Sequence, residues 1–260
     1  MRLRNRLVAS SVRRAMRILA LYDIHGNLDA LDAVLADPRA ADPDAVVVGG
    51  DVVPGAFAVE VLDRLAGLGV PTHWVRGNGE REVAAVATDA PDAVDPEDMA
   101  LVTAVATARA LGAERAAPLG DLPLVLELDG VLFCHATPRS DDEILTRASP
   151  AERYAAALAG VTAPLVVAGH THQQDDRTVG AVRFVNAGSV GMPYEGDGAA
   201  RWLWIEDGDP HLRATEYDAA GAGRRILASG WPDEQSTAAS MTEPVDALVV
   251  TELFEARGAG

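Results

Sequence analysis

Arg17-Ile-Leu-Ala-Leu-Tyr-Asp23-Ile-His25-Gly-Asn27 is the stretch that decides how this chain is read. Its first half is an apolar run of strand length, and its second half is a polar turn. Leu28, Leu31, Val34 and Leu35 then recur at helical spacing. The strand, loop and helix unit repeats. Ala45-Val-Val-Val-Gly49-Gly50-Asp51 is a β-branched run broken by Pro54 and Gly55, and Val59, Leu62 and Leu65 form the next stripe. A third run, Pro71 to Val75, ends at Arg76-Gly77-Asn78. Three such units predict a parallel sheet whose loops gather at its carboxyl edge, where ligands bind in open α/β folds.

Further along, residues 80–117 are rich in Ala, Glu and Asp without strand signals, which predicts two helices in a cap or side insertion, broken near Pro91 to Pro96. Leu122 to Leu128 and Val131 to His135 flank Asp129-Gly130, the signature of a type I′ hairpin. A helix is expected over Glu143 to Leu158, then a buried strand at Leu165 to His170 and short strands at Val182 to Val185, Trp202 to Glu206 and Leu212 to Tyr217. The second half therefore reads as a more antiparallel sheet facing the first. The expected organisation is a disordered extension over residues 1–16, one domain over 17–229, and a tail over 230–260 in which Val245 to Phe254 forms a strand or a docking helix.

Composition narrows the chemistry. Apolar residues make up 48% of the 260 residues and charged residues 23%, as in globular domains, and no apolar run reaches bilayer-spanning length. A net charge of -17 opposes bulk nucleic-acid binding, so the expected partner is a small phosphorylated substrate, with neither nucleic acid nor membrane. Every basic residue among the 22 is arginine, which excludes a P-loop and lysine Schiff-base chemistry. Met1 to Arg17 holds six arginines and no apolar core of signal-peptide length. With the single cysteine, Cys134, read as a buried strand residue, this predicts a cytoplasmic protein.

The strand ends carry the candidate site. Asp23 and His25 stand two residues apart, Asp51 follows two glycines, and Asn78 closes the third strand. His135 ends the hairpin, and Gly169-His170-Thr-His172 follows a buried strand. Five strand ends thus supply three oxygen ligands and four imidazoles, and four of the six histidines fall in this set. Neutral imidazoles beside carboxylates suit borderline divalent ions such as Mn, Fe, Zn or Ni. Two ions about 3.5–4 Å apart need an anionic bridge, and such a pair clamps the attacking and leaving oxygens of a phosphoryl displacement. Asp51 is the expected bridge.

The order Asp-x-His, Gly-Asp, Gly-Asn, His, Gly-His-x-His resembles the calcineurin-like metallophosphoesterases over roughly residues 17–220, and Val185-Asn-Ala-Gly-Ser-Val-Gly191 is similar to a segment of their small bacterial phosphodiesterase branch. The resemblance implies an α/β fold, a four-layer αββα sandwich of two mixed sheets flanked by helices. It implies that Asp23, His25, Asp51 and His172 hold one metal and that Asp51, Asn78, His135 and His170 hold the second. Catalysis would rest on Asp51, Asn78 and His135, with a metal-bridging hydroxide attacking a phosphodiester or phosphomonoester in line. Dinucleoside polyphosphate cleavage and a non-catalytic scaffold on the same fold are the alternatives.

One position departs from the family. Protein phosphatases of this type follow Gly-Asn with a histidine that protonates the leaving group, and this chain has Gly79 there. Glu80 reads as an acidic residue at a helix start. Arg76 and Arg139 are candidate phosphate contacts, with salt bridges as the alternative, and Asn27 is expected to shape the metal loop at the substrate site. His73 and His211 lie outside every motif and read as structural or surface residues.

Overall fold

Alternation of side chains along short buried strands generates the layering. The computed structural model describes residues 14–91, 93–243 and 245–258. In chain order these form β1 (Ile18–Leu21), α1 (Leu28–Ala36), β2 (Ala45–Val48), α2 (Ala58–Ala66), β3 (Thr72–Trp74), α3 (Asn78–Thr88), α4 (Met99–Leu111) and α5 (Ala113–Ala116). They continue with β4 (Val125–Leu128), β5 (Val131–Cys134), α6 (Ala151–Ala157), β6 (Leu165–Ala168), β7 (Asp175–Val179), β8 (Val182–Asn186), β9 (Ala200–Glu206) and β10 (Asp209–Thr215). The last elements are α7 (Ala219–Leu227), α8 (Glu234–Thr242) and α9 (Ala247–Gly258). Residues 1–13, and with them most of the expected extension, lie outside the described residues.

The strands form two five-stranded sheets, ordered β10-β9-β1-β2-β3 and β4-β5-β6-β8-β7. On β1 and β2, Leu19, Leu21, Val46 and Val48 face the stripe of α1 and α2. The alternate residues Ile18, Ala20, Tyr22 and Val47 face the other sheet and pack against Val131, Phe133, Leu165 and Val167. Val166, Ala168 and Cys134 point the opposite way, toward Tyr154 and Ala157 of α6. A side-chain period of two thus produces three apolar interfaces and the four-layer αββα sandwich. Burying a Leu or Phe stabilises by about 1.5–3 kcal/mol, so these interfaces supply the main driving force. Cys134 is fully buried, and its surroundings push its thiol well up and leave it inert.

Local sequence sets the element ends. Asn27 caps α1 by accepting from Ala30 N at 3.1 Å, Asp98 caps α4 through Leu101 N at 3.1 Å, and Asp218 caps α7 through Gly221 N at 2.8 Å. Asp129 and Gly130 have φ of 51° and 80°, as a type I′ hairpin requires.

Several expectations need correcting. Residues 143–150 are not helical, and α6 starts only at Ala151. Pro150 disfavours helix in the residue before it, and Ser149 Oγ takes Thr146 N at 2.9 Å, so local side-chain bonds compete with the helix. The hairpin β9–β10 joins the first sheet through Ile18 opposite Ile205, not the second. The second sheet is consequently no more antiparallel than the first: β5, β6 and β8 are parallel and only its edge strands run against them. The charged strand β7 escaped notice because Asp175-Asp-Arg-Thr-Val lacks apolar alternation.

The C-terminal region also folds back more fully than expected, as α8 and α9. Ala238 and Met241 of α8 pack on Ala222 and Ile226 of α7. Thr251 of α9 donates to Gln173 Oε1 at 2.7 Å, beside His172. No helix among the described residues is long and apolar enough to cross a membrane.

Candidate metal centre

All the candidate ligands lie just past the carboxyl ends of β1, β2, β3, β5 and β6, strands that run parallel within their sheets. Sandwich packing brings the two edges together. Asp23, His25 and His172 form one group able to hold a metal, and Asp51, His135 and His170 form another. His25 Nε2 and His172 Nε2 approach to 3.2 Å, and His172 Nε2 lies 3.3 Å from Asp23 Oδ1. Asp51 Oδ2 stands 3.8 Å from His25 Nε2 and 3.5 Å from His135 Nε2, so it faces both groups. Asn78, the first residue of α3, donates to Glu82 Oε1 at 3.4 Å and leaves its own amide oxygen free.

Backbone geometry marks the same residues. Asp23, His25, Asp51, His170 and His172 have φ between 46° and 69°, and they are five of the eight non-glycine residues with positive φ among the described residues. Left-handed backbone is unfavourable for side chains other than Gly, Asn and Asp, and persists where surrounding structure enforces it. That enforcement is visible. Backbone N–H groups hold the carboxylates: Gly79 N donates to Asp51 Oδ1 at 2.8 Å and His170 N to Asp23 Oδ2 at 2.9 Å. Carbonyls hold the imidazoles: His135 Nδ1 donates to Gly49 O at 3.0 Å and His172 Nδ1 to Met192 O at 2.8 Å. Each ring therefore turns Nε2 inward, as metal-binding histidines do.

The donor set fits a pair of cations. Asp23 Oδ1, Asn78 Oδ1 and His135 Nε2 are buried and have no hydrogen-bond partner. Such atoms are costly in a protein interior unless an ion or water completes them. The electrostatics agree. Burial works against the charge on Asp51 and Asp23, yet the facing imidazoles outweigh it and hold both carboxyls below their usual range. Burial pushes His170 down to about 4 and lowers His25, leaving both neutral and ready to donate a lone pair. On His135 burial is outweighed by Asp51 and Asp23, which push it up to about 10, so a cation there displaces a proton.

Glu80 does more than begin a helix. Its buried carboxylate accepts from Asp51 N at 2.8 Å, Val52 N at 2.8 Å, Val53 N at 3.3 Å and Gly77 N at 2.8 Å. Burial and Asp51 push its pKa up to about 7, while these four N–H bonds favour the ionised form. The sequence signal was an acid three residues after Gly77, at the N3 position of a capping box. Gly79 has its own steric reason: a Cβ there would sit 2.0 Å from Val53 O and 3.0 Å from Asp51 Oδ1. No side chain, histidine included, fits that position without moving the loop that carries Asp51.

The Val185-to-Gly191 segment buttresses the ligand loops. Ser189 Oγ donates to Asp23 O at 2.7 Å, and Asn186 Nδ2 to Gly169 O at 2.6 Å. The three expected substrate contacts have internal partners instead. Arg76 donates to Asp141 Oδ2 at 3.1 Å and Gly120 O at 3.0 Å, and Arg139 is paired with Glu143 and Ala156 O. Asn27 donates to Gly191 O at 2.9 Å and Tyr217 Oη at 3.1 Å. Arg76 is engaged by a carboxylate from a distant loop, and Arg139 by Glu143 four residues along the chain, the salt-bridge alternative in each case. His73 and His211 lie on β3 and β10, away from the site.

Comparison with known proteins adds the lineage. A metallophosphoesterase from Sphaerobacter thermophilus superposes with a TM-score of 0.71 at 25% identity, covering 89% of this chain and all of that one. A hypothetical protein from Pyrococcus horikoshii OT3 superposes with a TM-score of 0.72 at 22% identity, over 88% of this chain and 99% of its own, a likeness of fold. No curated protein matches the chain in sequence. The profile of the calcineurin-like phosphoesterase superfamily domain matches residues 16–205, and the chain belongs to that superfamily.

Proposed function

We propose that the protein hydrolyses a small phosphodiester or phosphomonoester with two divalent metal ions. The observation that carries this reading is the convergence of two ligand groups on Asp51, with the buried ligand atoms of Asp23, Asn78 and His135 left without protein partners. Asp23, His25, Asp51 and His172 would hold one ion, and Asp51, Asn78, His135 and His170 the other. Ions of Mn, Fe, Zn or Ni suit this mixture of imidazole and carboxylate, and when bound they polarise phosphoryl oxygens and supply a water-derived nucleophile at neutral pH.

The chain's own groups position and balance the site. Asp51 lowers the repulsion between two cations, and Gly79 N and Glu80 fix its rotamer and backbone. The Gly49 and Met192 carbonyls keep His135 and His172 in the tautomer that presents Nε2. At position 79 there is no imidazole to protonate a departing oxygen, which favours esters whose leaving group needs little proton assistance. A net charge of -17 disfavours anionic polymers, so the substrate is small, and the site works in the cytoplasm without a membrane or nucleic acid.

The test measures bound metal and then hydrolysis of bis-p-nitrophenyl phosphate beside p-nitrophenyl phosphate with Mn²⁺, with Asp51→Asn as control. Metal-dependent turnover in the wild type, absent from the variant and faster on the diester, is expected. A wild type that binds no metal and is as inert as the variant sinks the reading.

A further inference from the structure

Beside the candidate metal centre lies a slot of about 190 Å³ walled by α4, by the start of α8 with the turn before it, and by the ligand loops themselves. Met99 and Thr103 present one face of α4, separated by a helical turn. Trp231 and Asp233 stand in the turn before α8, while Met192 and the metal-facing His25 form the inner wall. The slot is physically joined to the ligands. Met192 O fixes His172 at 2.8 Å, and Met192 N donates to Ser189 Oγ, which in turn holds Asp23 O. Whatever fills this slot therefore abuts the metal-bound part of a substrate.

Its chemistry is selective. Apart from His25 no basic residue lines it, and the one acid is Asp233. A second phosphate placed there would meet the Asp233 carboxylate and find no arginine, so beyond the metal-bound group the slot does not suit a polyphosphate chain. Met99, Met192 and Trp231 among its walls suit a flat ring, which apolar and aromatic side chains pack well against. Met99 at the mouth remains 37% exposed, an apolar surface available to a ligand. The volume lies below the roughly 300–1,000 Å³ of pockets for drug-sized ligands, which limits the guest to about one ring system.

We propose that this slot binds a neutral planar ring carried by the phosphoester substrate, and that Trp231, Met99 and Met192 set specificity for it over small alkyl and charged groups. The inference rests on the phosphoesterase reading of the adjoining centre, but its test does not need turnover. Mn²⁺-loaded full-length protein is titrated calorimetrically with phenylphosphonate, methylphosphonate and phosphonoacetate, which share the phosphonate and differ only in the group offered to the slot.

Phenylphosphonate is expected to bind about tenfold more tightly than methylphosphonate. Trp231→Ala removes most of that advantage and leaves methylphosphonate affinity unchanged, and Trp231→Phe retains it. Met99→Ala, at an exposed position that does not threaten folding, reduces the advantage several-fold. Equal affinity for phenyl and methyl probes, tighter binding of phosphonoacetate, no binding of phenylphosphonate, or equal weakening of both probes by Trp231→Ala overturns the proposal. Ring-selective binding by a protein that hydrolyses no ester upholds the slot and rejects the hydrolase reading. Hydrolysis without ring selectivity does the reverse.

Discussion

The first sheet and the second meet at one centre but bring opposite chemistry to it. Loops after β1, β2 and β3 deliver the oxygen ligands Asp23, Asp51 and Asn78 together with His25, whereas loops after β5 and β6 deliver only imidazoles. Their supports are opposite too: the carboxylates of Asp23 and Asp51 are held by N–H groups, and the rings of His135 and His172 by carbonyls. Two of these supports cross between the sheets, from His135 to Gly49 O and from His170 N to Asp23. The difference teaches that neither sheet holds a complete site. The oxygen-rich half would balance cation charge and the nitrogen-rich half would complete coordination, and their packing brings the two candidate groups together.

The largest test removes the joint between the halves. Asp51→Asn is expected to lower diester hydrolysis by about 10³-fold and to reduce bound metal below two ions, as activity assays and elemental analysis read. If both ions and the rate persist, Asp51 does not join the groups. Next, Gly79→Ala forces a Cβ against Val53 O, and urea unfolding of the metal-free protein is expected to show a loss of about 3 kcal/mol. An unchanged midpoint would show that the first-sheet loop yields freely.

Glu80→Gln keeps the shape but turns one acceptor into an NH₂ group facing backbone N–H groups. A loss of about 2 kcal/mol in the same assay is expected. Away from the centre, Asp37 offers a first-sheet carboxylate held by donors without a metal. It accepts from Arg39 Nη2 and Thr215 Oγ1, each at 2.6 Å, and its pKa is lowered, chiefly by the Arg39 hydrogen bond. A depressed folded pKa contributes stability above the unfolded value and loses it as pH falls through the folded one. Asp37→Asn is therefore expected to cost about 1–2 kcal/mol at pH 7, with the difference beginning to shrink below about pH 4 and closing only as the pH falls through the lowered folded value. The smallest effect belongs to Arg139→Ala. With its guanidinium already engaged by Glu143 and Ala156, turnover should stay within about twofold of wild type, and a tenfold drop would restore it as a substrate contact.

What the chain made legible follows physical range. The candidate ligands could be named because each follows a strand-length run, apolar throughout for all but β3, and strand ends on one sheet edge lie together. Helices such as α1 and α2 were readable from their stripes, and the Asp129-Gly130 turn from its signature. The helix expected over 143–158 failed over its first half because Pro150 and the Thr146 and Ser149 side chains outcompete a favourable composition. Strand β7 hid behind its charges. For Arg76 and Arg139 the sequence left phosphate contact and salt bridge open; Glu143 is a neighbour along the chain, whereas Asp141, Gly120 and Ala156 are brought in by loops and helices whose approach no local pattern encodes.

The sequence by itself determined which residues are chemically able to bind metal and, through periods of two and of 3.6, which faces must be buried. Both are properties of neighbours along the chain. Tertiary structure alone decided that β9 and β10 complete the first sheet and that the N–H groups of Asp51, Val52 and Val53 converge on Glu80. It also decided that position 79 has no room for a side chain, and that α4 and the turn before α8 close a ring-sized slot against His25. Those outcomes depend on contacts between segments far apart along the chain, set by how layers pack and not by any local preference of the residues involved.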